Sequence, residues 1–343
     1  MNRIILSFIV LFLFFIFYIV LSTPSYKTLD ITSALVDAEN ALKKNQKIIT
    51  FDSKNPFNFY DLIHNNDKIP DQKVYGILTK PNNKDVFPVI IGVAGSAGWG
   101  KHHYGYLDRY LKAGFAVFSL HSFKSRNVES TVGEQLTVTI PMMIYDSFKA
   151  LEKLSKDPNI DAARAGLTGW SLGGGVALFS AWSPIQELIS PNFKFAAHLP
   201  FYPPCMIIPE ELRFTGAPIH ILAGELDDWV PAAACEEFVE IASASSYNIG
   251  LTIYPGASHS FDRHMDVVLD NNAYSFTDCR MKLSKDGVVS LLNGFPLSTP
   301  FLQKIGLAFC AEKGAHWGGD KFAREQSSKF ALKFMEKHLL AKN

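Results

Sequence analysis

The stretch Ala163–Trp182 reads ARAGLTGWSLGGGVALFSAW, and it decides the fold. Its first half is an apolar, strand-like run, and its second half is a small-residue segment with helical character. Between them, residues 169–173 read GWSLG, a G-x-S-x-G motif. A sharp strand-to-helix turn needs glycines beside its apex, because larger side chains would clash with neighbouring backbone. The stretch therefore predicts that Ser171 is presented at the carboxyl end of a strand, just before a helix N-terminus.

Strand-like and helical patterns alternate on both sides of this motif. A run at 73–81 alternates polar and apolar residues and predicts an edge strand. Continuous apolar runs, typical of buried parallel strands, follow at 87–95, 115–123, 194–204, 217–224 and 248–256. Strands that alternate with helices predict an α/β fold: a mostly parallel, doubly wound sheet with helices on both faces. Residues 280–315 do not fit the alternation, and we interpret them as an excursion before a C-terminal helix.

Two loops that follow predicted strands carry groups that a serine nucleophile requires. Residues 225–231 read ELDDWVP, and residues 257–261 read ASHSF. Both loops lie at strand carboxyl ends, where ligand sites of open α/β sheets are found. A serine hydroxyl needs a base to take its proton, and the base needs a carboxylate to orient it. The order serine, acid, histidine along the chain is the order of α/β hydrolases.

Several residues compete for the roles of base and acid. His259 is favoured as the base, because His316 lies beyond the last predicted strand and far from the expected position. Asp227 is favoured as the carboxylate that fixes the imidazole tautomer, with Asp228 and Glu225 as alternatives.

An oxyanion needs two backbone N–H donors in such a site. We expect the first from Leu172, the residue after the nucleophile. The second is expected from the glycine-rich loop at 95–98, with Ser96 as the preferred donor and Ala97 as the alternative.

Three tryptophans flank the three motif loops: Trp99, Trp170 and Trp229. They are candidates for the walls of an aromatic pocket that receives an apolar acyl or alcohol group. The alternative is that they only pack the domain.

Composition excludes some classes of function. Lys and Arg total 33 and Asp and Glu total 33, so the formal net charge is zero and no basic excess favours nucleic acid. Hydrophobic residues make up 48% of the chain, enough for a large core. No His, Cys or Asp cluster has the spacing of metal ligands, and the predicted chemistry requires no metal or cofactor.

The N-terminus carries an apolar run, Ile4–Leu21, that follows Arg3. As a helix it would span roughly 27 Å, close to a bilayer core of about 30 Å. The run predicts either a cleaved signal peptide or an uncleaved membrane anchor within residues 1–23, and both imply export to the periplasm or the extracellular space. We interpret residues 24–70 as a linker or extension that includes a short helix, and residues 71–343 as one catalytic-type domain.

Four cysteines follow, at Cys205, Cys235, Cys279 and Cys310. An even number in an exported chain permits two disulfides in three possible connectivities, and the alternative is four buried free thiols.

Taken together, these motifs resemble the dienelactone hydrolase-like α/β hydrolases, from about Val74 to about Phe261. The string DPNIDAARAGLTGWSLGG at 157–174 is similar to that family's approach to its nucleophile. The spacing Gly-x-x-Asp-x-x-Val-Pro at 224–231 is similar to its acid loop, and this register selects Asp227. The string YPGA ahead of His259 resembles its histidine loop.

Two departures from the family pattern bear on the activity. Ser171 stands where the namesake enzymes carry a cysteine, and Ala94 stands where many relatives carry a histidine. The resemblance thus implies hydrolysis of small esters or lactones more broadly than of dienelactone. A peptidase or amidase on the same residues, and a non-catalytic binding module of this fold, are the alternatives. The sequence leaves the oligomeric state open.

Overall fold

The computed structural model describes residues 27–82 and 85–340, and its centre is an eight-stranded sheet. The strands are β1 (Gln46–Lys54), β2 (Asp71–Thr79), β3 (Phe87–Val93), β4 (Ala116–Leu120), β5 (Ile160–Trp170), β6 (Ala197–Phe201), β7 (Ile207–Pro209), β8 (Ile219–Gly224), β9 (Ile249–Tyr254), β10 (Val268–Ser275), β11 (Met281–Leu283), β12 (Val289–Leu291) and β13 (Glu312–Trp317).

The order of strands in the central sheet is β1-β2-β4-β3-β5-β6-β8-β9. Strand β2 is antiparallel to both of its neighbours, and every pair from β4 to β9 is parallel. This arrangement is the α/β-hydrolase fold that the alternating pattern predicts. The continuous apolar runs have a direct cause, because every residue of β3 and β4 is buried.

Helices cover both faces of this sheet. The structure contains α1 (Thr32–Ala41), α2 (Phe59–His64), α3 (Lys101–Lys112), α4 (Ile140–Leu154), α5 (Leu172–Phe179), α6 (Ser183–Ile189), α7 (Ala232–Ala244), α8 (Pro300–Leu307) and α9 (Lys321–Met335). Helices α3 and α9 pack together on one face, where the Tyr106 and Ser327 hydroxyls are 2.8 Å apart. Helices α4, α5 and α7 share the other face, where Phe179 packs edge-on against Phe238.

The sheet begins earlier in the chain than the sequence suggests. Residues 24–70 are predicted as a linker with a short helix, and α1 is that helix, but β1 also lies there and pairs with β2 over its whole length. The 73–81 strand is consequently the second strand and not an edge. Only Phe51 and Ser53 of β1 are buried, so this outermost strand lacks the apolar run that marks the others. Ser53 hydrogen-bonds Asp146 of α4, which anchors β1 to the domain.

Residues 280–315, predicted as an excursion, form small sheets beside the central one. Strands β7, β11 and β12 make a three-stranded sheet, and β10 pairs with β13. Two disulfides, Cys205–Cys235 and Cys279–Cys310, cross-link these segments covalently. The described residues contain no free cysteine. The pairing settles the choice that the sequence leaves open.

No helix within residues 27–82 and 85–340 is long and apolar enough to span a membrane. The predicted signal or anchor at Ile4–Leu21 lies outside the described residues.

Candidate active site

Ser171 stands at the turn between β5 and α5, with a backbone φ of 55° and ψ of −114°. A positive φ is strained for a residue with a side chain, and a strain of this kind costs of order 1–3 kcal/mol. The surrounding packing enforces it. A Cβ added at Gly169 would lie 2.0 Å from the Gly173 carbonyl oxygen, and one added at Gly173 would lie 2.2 Å from the Val93 carbonyl oxygen. Both glycines of the motif are therefore required for β5, α5 and β3 to approach this closely.

The three residues of the predicted constellation meet at the carboxyl edge of the sheet. His259 Nε2 lies 3.0 Å from Ser171 Oγ, and His259 Nδ1 lies 2.7 Å from Asp227 Oδ2. Asp227 Oδ1 accepts two further hydrogen bonds, from the backbone amides of Trp229 at 3.0 Å and Val230 at 2.9 Å. The side chains of His259 and Asp227 are almost wholly buried, at 2% and 0% exposed. Such a chain of hydrogen bonds fixes which imidazole nitrogen faces the serine.

Asp228, the alternative acid, makes a separate pair. Its Oδ2 lies 2.7 Å from His316 Nδ1, and its Oδ1 accepts the His316 backbone amide at 2.8 Å. The side chains of both residues are exposed, Asp228 at 37% and His316 at 52%. The structure thus assigns Asp228 to a surface contact that attaches β13 to the acid loop.

A small cavity of about 20 Å³ opens above Ser171. It holds little more than one water molecule. Its walls include the predicted Trp170 and Trp229 and two residues outside the predicted set, Arg263 and Trp317. The Arg263 guanidinium lies 4.1 Å from the centre of the Trp317 ring.

Trp99 is not among the residues that line this cavity in the described part of the chain. It stacks on Tyr104, packs against Trp170, and donates its indole N–H to the Leu120 carbonyl oxygen at 2.9 Å. The prediction of Trp99 as a pocket wall is therefore corrected to a packing role. Trp170 lines the cavity and is fully buried, and its ring also packs against Tyr106 and Phe201.

The predicted oxyanion donors flank Ser171. The loop at 95–98 lines the same cavity, and Leu172 is the first residue of α5. Within residues 27–82 and 85–340, the amides of Ser96 and Leu172 donate no hydrogen bond to protein. The Ser96 hydroxyl contacts the Gln135 side-chain amide, at 3.2 Å from Oε1 and 3.1 Å from Nε2.

A buried carboxyl group lies behind the histidine. Asp262 accepts a hydrogen bond of 2.9 Å from the Tyr202 hydroxyl, and burial raises the pKa of Asp262 to about 6. His102 Nε2 is 3.9 Å from the same carboxyl oxygen, but burial lowers the pKa of His102 to about 3. His102 is consequently neutral at physiological pH, and the contact is not an ion pair there.

A larger cavity, of about 690 Å³, lies under α1 beside β2 and β4. None of Ser171, Asp227 and His259 lines it. We place the site at the smaller cavity because the reactive groups converge there.

The sequence profile of the dienelactone hydrolase family matches residues 74–281, well over half of the chain. The chain belongs to the dienelactone hydrolase family. It is accordingly a hydrolase of the α/β class. No curated protein matches the chain.

Two solved structures are similar over most of the chain. A dienelactone hydrolase-like promiscuous phosphotriesterase from metagenomic libraries has 13% identity and a TM-score of 0.53, covering 86% of this chain and 99% of its own. Esterase 2 of Thermogutta terrifontis, phosphorylated by paraoxon, has 15% identity and a TM-score of 0.50, covering 87% and 97% respectively. At these identities the similarity shows the fold alone.

The family match ends at residue 281, yet the site extends beyond it. Trp317 lines the Ser171 cavity because β13 returns to the histidine loop, where it forms a bridge with His259. Nothing local in the sequence marks this return. Arg263 lies four residues after His259, and this proximity is the sequence signal that it can reach the site.

Proposed function

We propose that this member of the dienelactone hydrolase family is a serine hydrolase that cleaves carboxylic esters or lactones. The observation that carries the proposal is the continuous hydrogen-bonded chain from Ser171 Oγ through His259 to Asp227, at 3.0 and 2.7 Å. Ser171, the first residue of this hydrogen-bonded chain, occupies the strained turn beside the cavity.

In the proposed reaction, Ser171 Oγ attacks the ester carbonyl carbon while His259 Nε2 takes the hydroxyl proton. The carbonyl oxygen becomes an oxyanion, and the proposed donors to it are the amides of Leu172 and Ser96, which donate to no protein group within the described residues. His259 then gives the proton to the leaving oxygen, the C–O bond breaks, and an acyl-enzyme remains. Water attacks the acyl-enzyme with His259 again as the base, which releases the acid and restores Ser171.

Asp227 is proposed to hold the proton of the imidazole on Nδ1. It accepts that N–H at 2.7 Å, and its other oxygen is fixed by two backbone amides, so the carboxylate cannot rotate freely. The buried setting strengthens the attraction between the carboxylate and the imidazolium that forms during the reaction.

The proposal is tested by labelling with a fluorophosphonate probe and by turnover of p-nitrophenyl acetate. We expect the wild type to be labelled once and Ser171→Ala to lose both labelling and turnover, the latter by at least about 10³-fold. Ser180→Ala is the matched control, because Ser180 is a buried serine at the far end of α5. Undiminished labelling of Ser171→Ala, or an unlabelled wild type, would overturn the proposal.

Paraoxon is a second probe of the same residue. The similar esterase of Thermogutta terrifontis is described as phosphorylated by paraoxon. If Ser171 is the nucleophile here, mass spectrometry of paraoxon-treated protein is expected to place the phosphoryl group on the peptide that contains Ser171.

We also propose that the chain is exported. The apolar run Ile4–Leu21 and two disulfides, which persist in oxidising compartments, support this proposal. N-terminal sequencing of protein from a membrane fraction and from a soluble exported fraction distinguishes an anchor from a cleaved peptide. Recovery of the protein only from the cytosol would contradict export.

A further inference from the structure

A second cavity near Ser171, of about 150 Å³, lies beside the turn that carries this serine, since Leu172 is one of its lining residues. Its walls are mainly apolar, and they include Leu172, Phe276, Val289, Leu297 and Leu307. The Ser171 cavity itself holds about one water molecule, so an ester larger than acetate needs additional room.

The two cavities are lined by neighbouring residues. Leu172 follows Ser171 directly, and its partly exposed side chain lines the second cavity. Gln135 also lines the second cavity, while its side-chain amide contacts the hydroxyl of Ser96, which lines the first. The side chains of Leu172 and Gln135 therefore stand between the two cavities, and both are flexible enough for an acyl chain at Ser171 to displace them.

Polar groups in the wall are already paired, so the interior is left to apolar contacts. The Asn58 amide donates to the Ser298 carbonyl oxygen at 2.6 Å, and the Thr139 hydroxyl donates to the Pro56 carbonyl oxygen at 3.3 Å. The Gln303 amide donates to the Gln135 carbonyl oxygen at 3.0 Å. A charged or strongly polar ligand finds few free partners there.

The position of His259 shows which half of an ester the second cavity takes. The general acid must reach the leaving oxygen, so the alcohol lies on the His259 side of Ser171. In the described part of the chain, His259, Trp229 and Trp317 line the first cavity and not the second. The second cavity touches none of these three residues, so the acyl group is the half of the ester left to enter it.

Both disulfides support the walls of this cavity. Cys205 lies between two residues that line it, Pro204 and Met206, and Cys279 lies between Phe276 and Met281, which also line it. The lining residues Val289 of β12 and Gln303 and Leu307 of α8 lie beyond the residues matched by the family profile. The two disulfides therefore fix segments of the chain that contribute to the cavity wall.

We propose that this cavity binds the apolar acyl chain of the substrate, which makes esters of unbranched acids with about four to six carbons the preferred class. A cavity of about 150 Å³ accommodates a ligand the size of benzene, which sets this length. The inference rests on the proposed function, because it needs an ester at Ser171.

The test is kcat/KM for p-nitrophenyl acetate, butyrate, hexanoate and decanoate, each normalised to the fraction of protein labelled by the fluorophosphonate probe. Each methylene that enters the cavity is expected to raise kcat/KM by up to about fourfold, and the rise is expected to stop near hexanoate. The normalisation removes any loss that comes from misfolded protein.

Val289→Phe fills part of the cavity, and Ile207→Phe is a second filling variant at a different wall. Each is expected to lower the ratio of hexanoate to acetate kcat/KM by about tenfold or more. Val288→Phe is the matched control, since the neighbouring residue makes the same change in volume and does not line the cavity. Its ratio is expected to stay within about twofold of the wild type.

Failure of the acyl-chain proposal is distinguishable from failure of the proposed function. If Ser171 is labelled and acetate is hydrolysed, but the chain-length profile is flat or is unchanged in both filling variants, the acyl-chain proposal is wrong while the serine hydrolase proposal stands. If Ser171 is not labelled and no ester is hydrolysed, the proposed function itself fails.

Discussion

Two Asp–His pairs lie side by side in this molecule, and they have the same short distance. Asp227 and His259 are 2.7 Å apart, as are Asp228 and His316. The first pair is buried, and His259 turns its other nitrogen to Ser171. The second pair is exposed, and in the described residues His316 Nε2 makes no hydrogen bond. The distance between carboxylate and imidazole does not separate a functional pair from a structural one.

Burial and further partners separate the two pairs. Inside the protein, the effective dielectric constant is low, so a fixed carboxylate acts strongly on a nearby imidazole. At the surface, water and salt screen the same contact, and exposed pairs contribute about 0–1 kcal/mol. The Asp227 carboxylate is also held by the Trp229 and Val230 amides, whereas the Asp228 carboxylate accepts only from His316 among the described residues.

The largest expected difference is between the same substitution at the two neighbouring aspartates. Asp227→Asn removes the charge that stabilises the imidazolium and favours the wrong tautomer, so kcat is expected to fall by about 10³–10⁴-fold. Asp228→Asn is expected to change kcat by less than about threefold, because its partner does not contact Ser171. Steady-state turnover of p-nitrophenyl acetate measures both.

Circular dichroism and thermal unfolding of the two variants provide the control for folding. An equal loss of kcat in two folded variants would show that both pairs serve the reaction, and the contrast drawn from burial would then be wrong.

A third carboxyl group, Asp262, shows the effect of burial where the neighbouring histidine, His102, carries no charge. Burial raises the pKa of Asp262 from 3.8 to about 6. The folded state therefore binds the proton more tightly than the unfolded state, so this group stabilises the fold at low pH and loses that contribution as pH rises through about 6. Between pH 7 and pH 5 the free energy of unfolding is expected to gain about 1 kcal/mol from Asp262.

Urea unfolding at pH 5 and pH 7 tests this expectation. The side chain of the Asp262→Asn variant cannot titrate. The free energy of unfolding of this variant should therefore lack the gain of about 1 kcal/mol between pH 7 and pH 5. Asp228→Asn, the same change at an exposed site, should keep the difference of the wild type. Identical differences in wild type and Asp262→Asn would show that the pKa of this carboxyl is not raised.

The fold could be predicted where burial leaves a strong pattern. Strands β3 and β4 are buried at every position, and their continuous apolar runs made them recognisable. Strand β1 is an edge strand of the sheet and has only two buried residues, so its sequence resembles that of a polar extension. The disulfide pairing depends on which loops meet in space, which the spacing of the cysteines does not encode.

The site could be predicted where each residue follows its own strand. Ser171, Asp227 and His259 all lie at carboxyl ends of parallel strands, so a shared edge brings them together. Trp317 reaches the site, and His316 reaches Asp228, because β13 pairs with β10 in an antiparallel contact over some forty residues of intervening chain. Long-range pairing of that kind leaves no periodic signal near either residue.

The smallest expected effect concerns His316 itself. His316→Ala removes the exposed side chain but keeps the backbone N–H that Asp228 accepts at 2.8 Å, so half of the contact survives. The side-chain pair is exposed and screened, and its loss is expected to lower the free energy of unfolding by only about 0.5 kcal/mol. The kcat for p-nitrophenyl acetate is expected to stay within about threefold of the wild type, because Trp317 and His259 are still linked by the backbone of β13. Urea unfolding and turnover assays measure the two quantities.

A loss of kcat as large as that of Asp227→Asn would mean that an exposed pair can act on the reaction. Burial would then no longer explain why the first pair meets the serine and the second does not.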